Sequence, residues 1–227
     1  MRPWTSVCLL LATGSLLVSL AAGAHPGLAL AVDRWLGWHN ETWVLRPWTL
    51  WTAAWVPAAA GSVAGNLLAL LGLAVVGGSL AAGRRCAIAL LVAWPLGTLA
   101  LLLWPQVRGY GGLAGPIHAA AMVLWSHLAL RAGLKPLSLV LVAAVGLKLL
   151  AERAWLQPVT FDPGWGGNVV QAAHLTGACA GALCGWVAQL GPMLRGLRAQ
   201  APAGGNGEQV SQAPGGSAGP GKSWNSR

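Results

Sequence analysis

Long apolar runs alternate with short polar segments along the chain as far as Leu190. Most of these runs are close to the length of about 20 residues that an α-helix needs to cross the hydrocarbon core of a bilayer. The pattern therefore predicts an all-α fold, a polytopic membrane bundle of six helices. The predicted helices are Thr5–Ala24, Gly61–Leu80, Cys86–Trp104, Gly112–Leu130, Pro136–Leu150 and Asn168–Leu190.

The first and fifth apolar runs differ from the other four. The small residues Ala22–Ala24 would suit a signal-peptide cleavage site, but the segment before the first run carries a single Arg. Cleavage would also leave five helices, so we expect the first helix to be retained. The fifth run is short and contains Lys148, whose ammonium can reach the membrane interface near Glu152.

Two polar segments complete the domain organisation. Residues 31–60 are too polar to span a membrane but are rich in Trp, a residue that favours the headgroup layer. They predict an outer loop that lies in the interface. Residues 193–227 consist largely of Gly, Pro, Ser and Asn and predict a disordered cytoplasmic tail. Residues 1–192 would then form one transmembrane domain.

Composition and charge support a membrane protein. Only 8% of the residues are charged, whereas a soluble domain has roughly a quarter, and the mean hydropathy is +0.60. The net charge of +9 does not indicate nucleic-acid binding, because the basic residues are scattered. With the N-terminus inside, nine of the fourteen Lys and Arg residues fall on the cytoplasmic side, which predicts that both termini are cytoplasmic.

Polar residues and glycines gather toward the outer ends of three predicted helices. Ser62 and Asn66 are four residues apart and share one face of the second helix. A Gly-Leu-Ala-Gly sequence with Ala114 at its third position opens the fourth helix, and His118 follows it. His174 lies about two turns into the sixth helix. Three glycines after it form a small-residue stripe that lets a neighbouring helix approach closely. These glycines are Gly177, Gly181 and Gly185.

The order of these motifs resembles the rhomboid intramembrane serine protease family, and most of all its rhombosortase branch, over roughly residues 5–190. Rhomboids have a Gly-x-Ser-Gly motif at the start of the fourth core helix and a His-x-x-Gly-x-x-x-Gly run on the sixth. Their second helix carries a His and an Asn four residues apart, after a loop that contains Arg and Trp. This chain has Arg46-Pro-Trp48, Asn66, Gly112-Leu-Ala-Gly115 and the run from His174. The position of His118 is similar to that of a His in rhombosortases.

The resemblance implies a role for each position. His174 matches the general base and Asn66 an oxyanion donor, while Gly112, Gly115 and His118 would bind substrate. Ala114 stands at the position of the nucleophilic Ser, and Ser62 at the position of the oxyanion His. Alanine has no oxygen with which to attack a carbonyl, and loss of the nucleophile costs a serine protease on the order of a million-fold in kcat.

The resemblance therefore implies a pseudoprotease that binds transmembrane segments of client proteins without cleaving them. Since rhombosortases are bacterial, it also implies a multi-pass protein of a bacterial inner membrane. Its partners would be the client segment and the lipid bilayer.

Three alternatives stay open. The chain could be an active serine-type endopeptidase that processes C-terminal Gly-rich sorting tails, with another hydroxyl as nucleophile; the candidates are Ser62, Thr176 and Ser126. His174 could be a structural histidine. A metal or transport site on the two histidines has few ligands, because zinc usually takes three or four. We expect no metal and no cofactor.

Overall fold

The computed structural model describes residues 2–57, 61–130, 134–164 and 166–200. These residues form a mainly helical chain with two small antiparallel sheets. The helices are α1 (Pro3–Ala24), α2 (Pro26–Leu36), α3 (Thr49–Thr52), α4 (Ser62–Ser79), α5 (Arg84–Leu99), α6 (Ala114–Ala129), α7 (Lys135–Glu152) and α8 (Gln171–Gln200). The strands are β1 (Trp38–His39), β2 (Gly109–Tyr110), β3 (Thr160–Asp162) and β4 (Gly167–Val169).

Each apolar run coincides with one long helix, so the helical character that the sequence predicts is confirmed. Three segments of the described chain are long and apolar enough to cross a membrane, namely α1, α4 and the continuous stretch Arg84–Leu103. α8 begins three residues later than predicted, because residues 167–169 pair with β3 instead. α8 also continues to Gln200, within the segment predicted as a tail. Residues 201–227 of that tail lie outside the described residues.

The loop predicted at residues 31–60 contains regular structure, although residues 58–60 lie outside the described residues. α2 extends into it, β1 pairs with β2, and α3 follows. Its tryptophans make specific contacts: Trp38 is fully buried, and the indole nitrogen of Trp48 donates to the carbonyl of Trp35 at 3.0 Å. The amide of Gly112 donates to the carbonyl of Ala53 at 2.8 Å, so this loop holds the entry to α6.

The centre of the bundle is α6, which packs against α5, α7 and α8, while α1 packs against α4 and α5. Most residues of α6 are buried, and Trp4, Leu90 and Leu124 are among the fully buried residues of the core. The outer faces are apolar as well: Leu17 of α1 and Leu68 of α4 are 66% and 71% exposed. Apolar side chains on the outside of a bundle are typical of a surface in contact with lipid.

A glycine stripe on α8 sets the distance between α8 and α6. A Cβ atom on Gly177 would overlap the carbonyl oxygen of Gly115, and one on Gly181 would overlap that of Ala119. Gly185 lies against the side chain of Ser126 in the same way. Because these residues carry no side chain, the two helix backbones touch, and residues of α6 and α8 near their first turns lie side by side.

Candidate functional site

One cavity of about 570 Å³ contains most of the residues that the sequence singles out. The α4 and α7 helices and the first turns of α6 and α8 all contribute residues to its lining. Residues of the β3–β4 hairpin complete the lining. The sequence-predicted residues along this cavity are Ser62, Asn66, Gly112, Ala114, His118 and His174.

Gly115 is placed differently from the other predicted substrate-binding residues. It is buried and does not line the cavity, and its amide donates to the hydroxyl of Tyr110 at 3.2 Å. That hydroxyl in turn donates to the carbonyl of Gly112 at 2.7 Å. The hydroxyl of Tyr110 thus links the two ends of the Gly112–Gly115 segment through hydrogen bonds. Burial raises the pKa of the Tyr110 phenol, so the group stays a neutral donor.

His174 is paired with a carboxylate. Its Nδ1 lies 2.7 Å from Oε2 of Glu152, whose other oxygen accepts from the ammonium of Lys148. The side chain of His174 is 6% exposed and that of Glu152 is 17% exposed, so the contact is largely shielded from solvent. An ionised carboxylate only accepts hydrogen bonds. Nδ1 therefore donates to the carboxylate, and in the neutral imidazole Nε2 is the nitrogen with a lone pair.

His118 lies directly on His174. The two imidazole rings stack with centroids 4.5 Å apart and planes 12° apart. Nδ1 of His118 is 2.7 Å from the carbonyl oxygen of Ala114, which fixes the same tautomer as in His174. A ring nitrogen binds a metal in the plane of its ring, and two stacked parallel planes do not meet at one ion. The described residues contain no group of three or more side chains that could hold a metal ion.

Glu152 belongs to the candidate site, although the sequence did not single it out for this role. Its spacing from Lys148 indicates an i, i+4 pair on one helix, and the two side chains do form it. The contact with His174 depends on how the end of α7 approaches α8, which no local pattern shows. The sequence placed Glu152 only near Lys148, and the structure brings its carboxylate to His174 as well.

The alternative nucleophiles occupy different places. Ser126 donates to the carbonyl of Val123 and lies one helix length away from the cavity, toward the C-terminal end of α6. Thr176 donates to the carbonyl of Ala173 and does not line the cavity. Ser62 does line it, as does Thr160 of β3, which the sequence did not single out. Ala114, which the rhomboid resemblance aligns with a nucleophilic serine, contributes only a methyl group to the lining.

A scan against protein-family models finds no match to this chain, and a search of curated proteins finds no significant match. The resemblance to rhomboids rests on the order of the motifs in the sequence.

Proposed function

We propose that this chain is a six-span membrane protein of rhomboid type that binds a transmembrane segment of a client protein without cleaving it. The observation that carries the proposal is the cavity. Residues from four separate stretches of sequence line it, including His174 and Asn66, and at the nucleophile position the same cavity holds the methyl group of Ala114. These are the features of a rhomboid-like site that lacks the attacking hydroxyl.

Six spans are favoured by the way the bundle is built. α1, α4 and the segment from Arg84 are each apolar enough to cross a membrane. α6 has 16 residues, about 24 Å of helix, which is shorter than the core of roughly 30 Å. Because α6 is enclosed by its neighbours, it does not have to meet lipid along its whole length. A short helix is also accommodated by local thinning of the bilayer.

Lateral access supports a membrane-embedded client. α4 packs chiefly against α1 and α7 chiefly against α6, and within the described residues α4 and α7 are not packed against each other. Ala69 of α4 and Lys148 of α7 both line the cavity and are exposed. An apolar helix could therefore approach between them from the bilayer. We place the protein in a bacterial inner membrane with both termini in the cytoplasm.

Client binding is tested by photo-crosslinking in reconstituted membranes. A photoreactive amino acid is placed at Ala69, which lines the cavity, and in a control protein at Val75, which lies on the exposed face of the same helix. The probe is a single-span peptide with a Gly-rich segment at its outer end. We expect a saturable adduct at position 69 and background labelling at position 75. Equal labelling at both positions would contradict binding in the cavity.

Absence of cleavage is tested with the same peptide and three proteins. We expect no product from the wild type, slow product formation by Ala114→Ser, and none from the double variant Ala114→Ser, His174→Ala. The expected gain depends on a Ser hydroxyl placed on the helix next to His174. Product from the wild type that disappears in His174→Ala would contradict the non-cleaving function.

The second candidate function is an active endopeptidase for C-terminal sorting tails. It is favoured by one observation: Ser62 lines the same cavity as His174. If Ser62 is the nucleophile, the wild type cleaves the peptide and Ser62→Ala does not. Thr160→Val serves as the matched control, because it removes the other aliphatic hydroxyl of the cavity lining.

A further inference from the structure

We propose that the Glu152–His174 pair is a working general base that activates a water molecule, and that the cavity hydrolyses small acyl esters. This activity goes beyond client binding and needs no hydroxyl nucleophile from the protein. It requires a base with a free lone pair, a carboxylate that keeps the base in one tautomer, and a cavity that admits water together with an ester.

The contact with Glu152 selects the tautomer that proton abstraction by a neutral imidazole requires. Nδ1 of His174 is 2.7 Å from Oε2 of Glu152, so the proton of the neutral imidazole resides on Nδ1. Nε2 then keeps its lone pair in a ring that lines the cavity. After the base has taken a second proton, the carboxylate stabilises the imidazolium, as in a Ser-His-Asp triad.

The carboxylate is held in an unfavourable place. Glu152 is the last residue of a long apolar helix, and its side chain is only 17% exposed. An ionised group that is withdrawn from water is destabilising unless it is paired, and Lys148 and His174 both pair with this one. Binding of an apolar helix does not require a carboxylate in the cavity. A histidine that becomes positively charged during each turnover is stabilised by one.

Water and an ester can both enter the cavity. Polar side chains of the loop side, Asp162, Asn168 and Gln171, line its wall. The volume of about 570 Å³ lies within the range of 300–1,000 Å³ or so that is usual for small-molecule sites. Ala114 contributes a methyl group and no hydroxyl to the cavity lining. A small acyl ester and one water molecule are thus the substrates that the cavity suits.

The reaction balances without any further reagent. The water oxygen forms a bond to the ester carbonyl carbon while Nε2 of His174 takes one of its protons, and the carbonyl electron pair moves onto oxygen. When the tetrahedral intermediate collapses, the bond from carbon to the alcohol oxygen breaks and the imidazolium returns its proton to that oxygen. One ester and one water give one carboxylic acid and one alcohol. Esters suit this step better than amides, because the alcohol is the better leaving group.

The test uses the full-length protein in lipid nanodiscs with p-nitrophenyl butyrate as the probe. We expect the wild type to hydrolyse it at least about tenfold faster than His174→Ala, since a positioned base typically contributes about 10² to 10⁴. His39→Ala is the matched control, because His39 lies in the outer loop away from the cavity. Glu152→Gln keeps an acceptor for Nδ1 but removes the charge, and we expect an intermediate rate. This variant covers the case in which His174→Ala does not fold.

Two results would overturn the proposal. One is a wild-type rate equal to that of both His174→Ala and Glu152→Gln. The other is an acyl group found on His174 by mass spectrometry of the quenched reaction, since that shows direct attack by the imidazole instead of attack by water. Both readouts are independent of crosslinking to a client peptide, so failure here and failure of client binding can be told apart.

Discussion

The imidazole ring of His118 stacks on the ring of His174, with centroids 4.5 Å apart and planes 12° apart. The two residues come from different helices and are 56 positions apart in the chain. Each ring has its Nδ1 occupied, one by the carbonyl of Ala114 and the other by Glu152. In their neutral forms the two imidazoles have the same tautomer, and their lone pairs lie in separate, nearly parallel planes.

Zinc should not bridge the two histidines. Because their lone pairs lie in separate planes, His118 and His174 cannot both reach one ion without rotation of a ring. We expect Zn²⁺ to shift the thermal unfolding midpoint of the wild type and of His118→Ala by the same amount. If Zn²⁺ shifts the unfolding midpoint of the wild type but not that of His118→Ala, the rings rearrange to bind metal. That result would support a metal site on the two histidines.

Removal of the Glu152 side chain should destabilise the fold. In Glu152→Ala the Nδ1–H group of His174 loses its acceptor in a site where that ring is 6% exposed. A buried donor without a partner costs about 1–3 kcal/mol, and we expect a loss of that size in denaturant unfolding in detergent. Glu152→Gln retains an oxygen acceptor and should lose less. An equal loss in both variants would mean that charge, and not the hydrogen bond, carries the stabilisation.

The sequence predicted the helices and most of the site for a simple reason. Apolar runs of bilayer length identify helices without reference to their neighbours, and a His or Asn inside such a run is conspicuous. Ser62, Asn66, His118 and His174 were found in this way, whereas Ala114 was singled out by the rhomboid resemblance; all five line one cavity. Their meeting was an expectation based on the family resemblance, since no local pattern states which helix ends are adjacent.

The parts of the site that the sequence did not predict lie at helix ends and in loops. Glu152 contacts His174 only because α7 ends beside the start of α8. Tyr110 lies in a two-residue strand whose partner is 72 positions earlier in the chain, at Trp38. The β3–β4 hairpin is too short to show an alternating pattern. In each case the deciding factor is a tertiary contact, which periodicity along the chain does not record.

Substitution of Gly181 should show that the glycine stripe is a packing device. A Cβ at this position would overlap backbone atoms of Ala119, and overpacking of this kind costs about 1–3 kcal/mol. We expect Gly181→Ala to lower the free energy of unfolding accordingly and to disturb the His118–His174 stack. Gly146→Ala is the control: its Cβ would meet no atom within 4 Å, and Ala is the better helix former by roughly 0.5–1 kcal/mol. Equal effects would contradict the packing role.

Retention of α1 can be tested through Trp4. This residue is fully buried, and its indole nitrogen donates to the carbonyl of Leu73 on α4 at 3.0 Å. Removal of a large buried aromatic side chain costs about 3–5 kcal/mol, so we expect Trp4→Ala to unfold far more readily than the wild type. The intact mass of the protein purified from membranes should include residues 3–24. A mass that corresponds to cleavage after Ala24 would show that the folded protein does not require α1.

Substitution of Tyr110 by Phe should weaken the segment that leads into α6. The change removes the hydroxyl that accepts from the Gly115 amide and donates to the Gly112 carbonyl. Two buried backbone groups lose their partner, at about 1–3 kcal/mol for each unsatisfied group. We expect lower stability and, because Ala114 lies between the two glycines, reduced crosslinking at position 69. Unchanged values of both quantities would mean that water replaces the hydroxyl.

The same tyrosine predicts how stability depends on alkaline pH. Burial raises the pKa of Tyr110 above the ordinary value of about 10, so the unfolded chain loses the phenol proton first. The contribution of this group is therefore complete below pH 10 and is lost as pH rises further. Tyr110 is the only tyrosine of the chain, so phenolate absorbance follows it directly. We expect ionisation of the folded protein well above pH 10, and a smaller alkaline loss of stability in Tyr110→Phe. Phenolate formation near pH 10 without unfolding would mean that the hydroxyl is accessible to solvent.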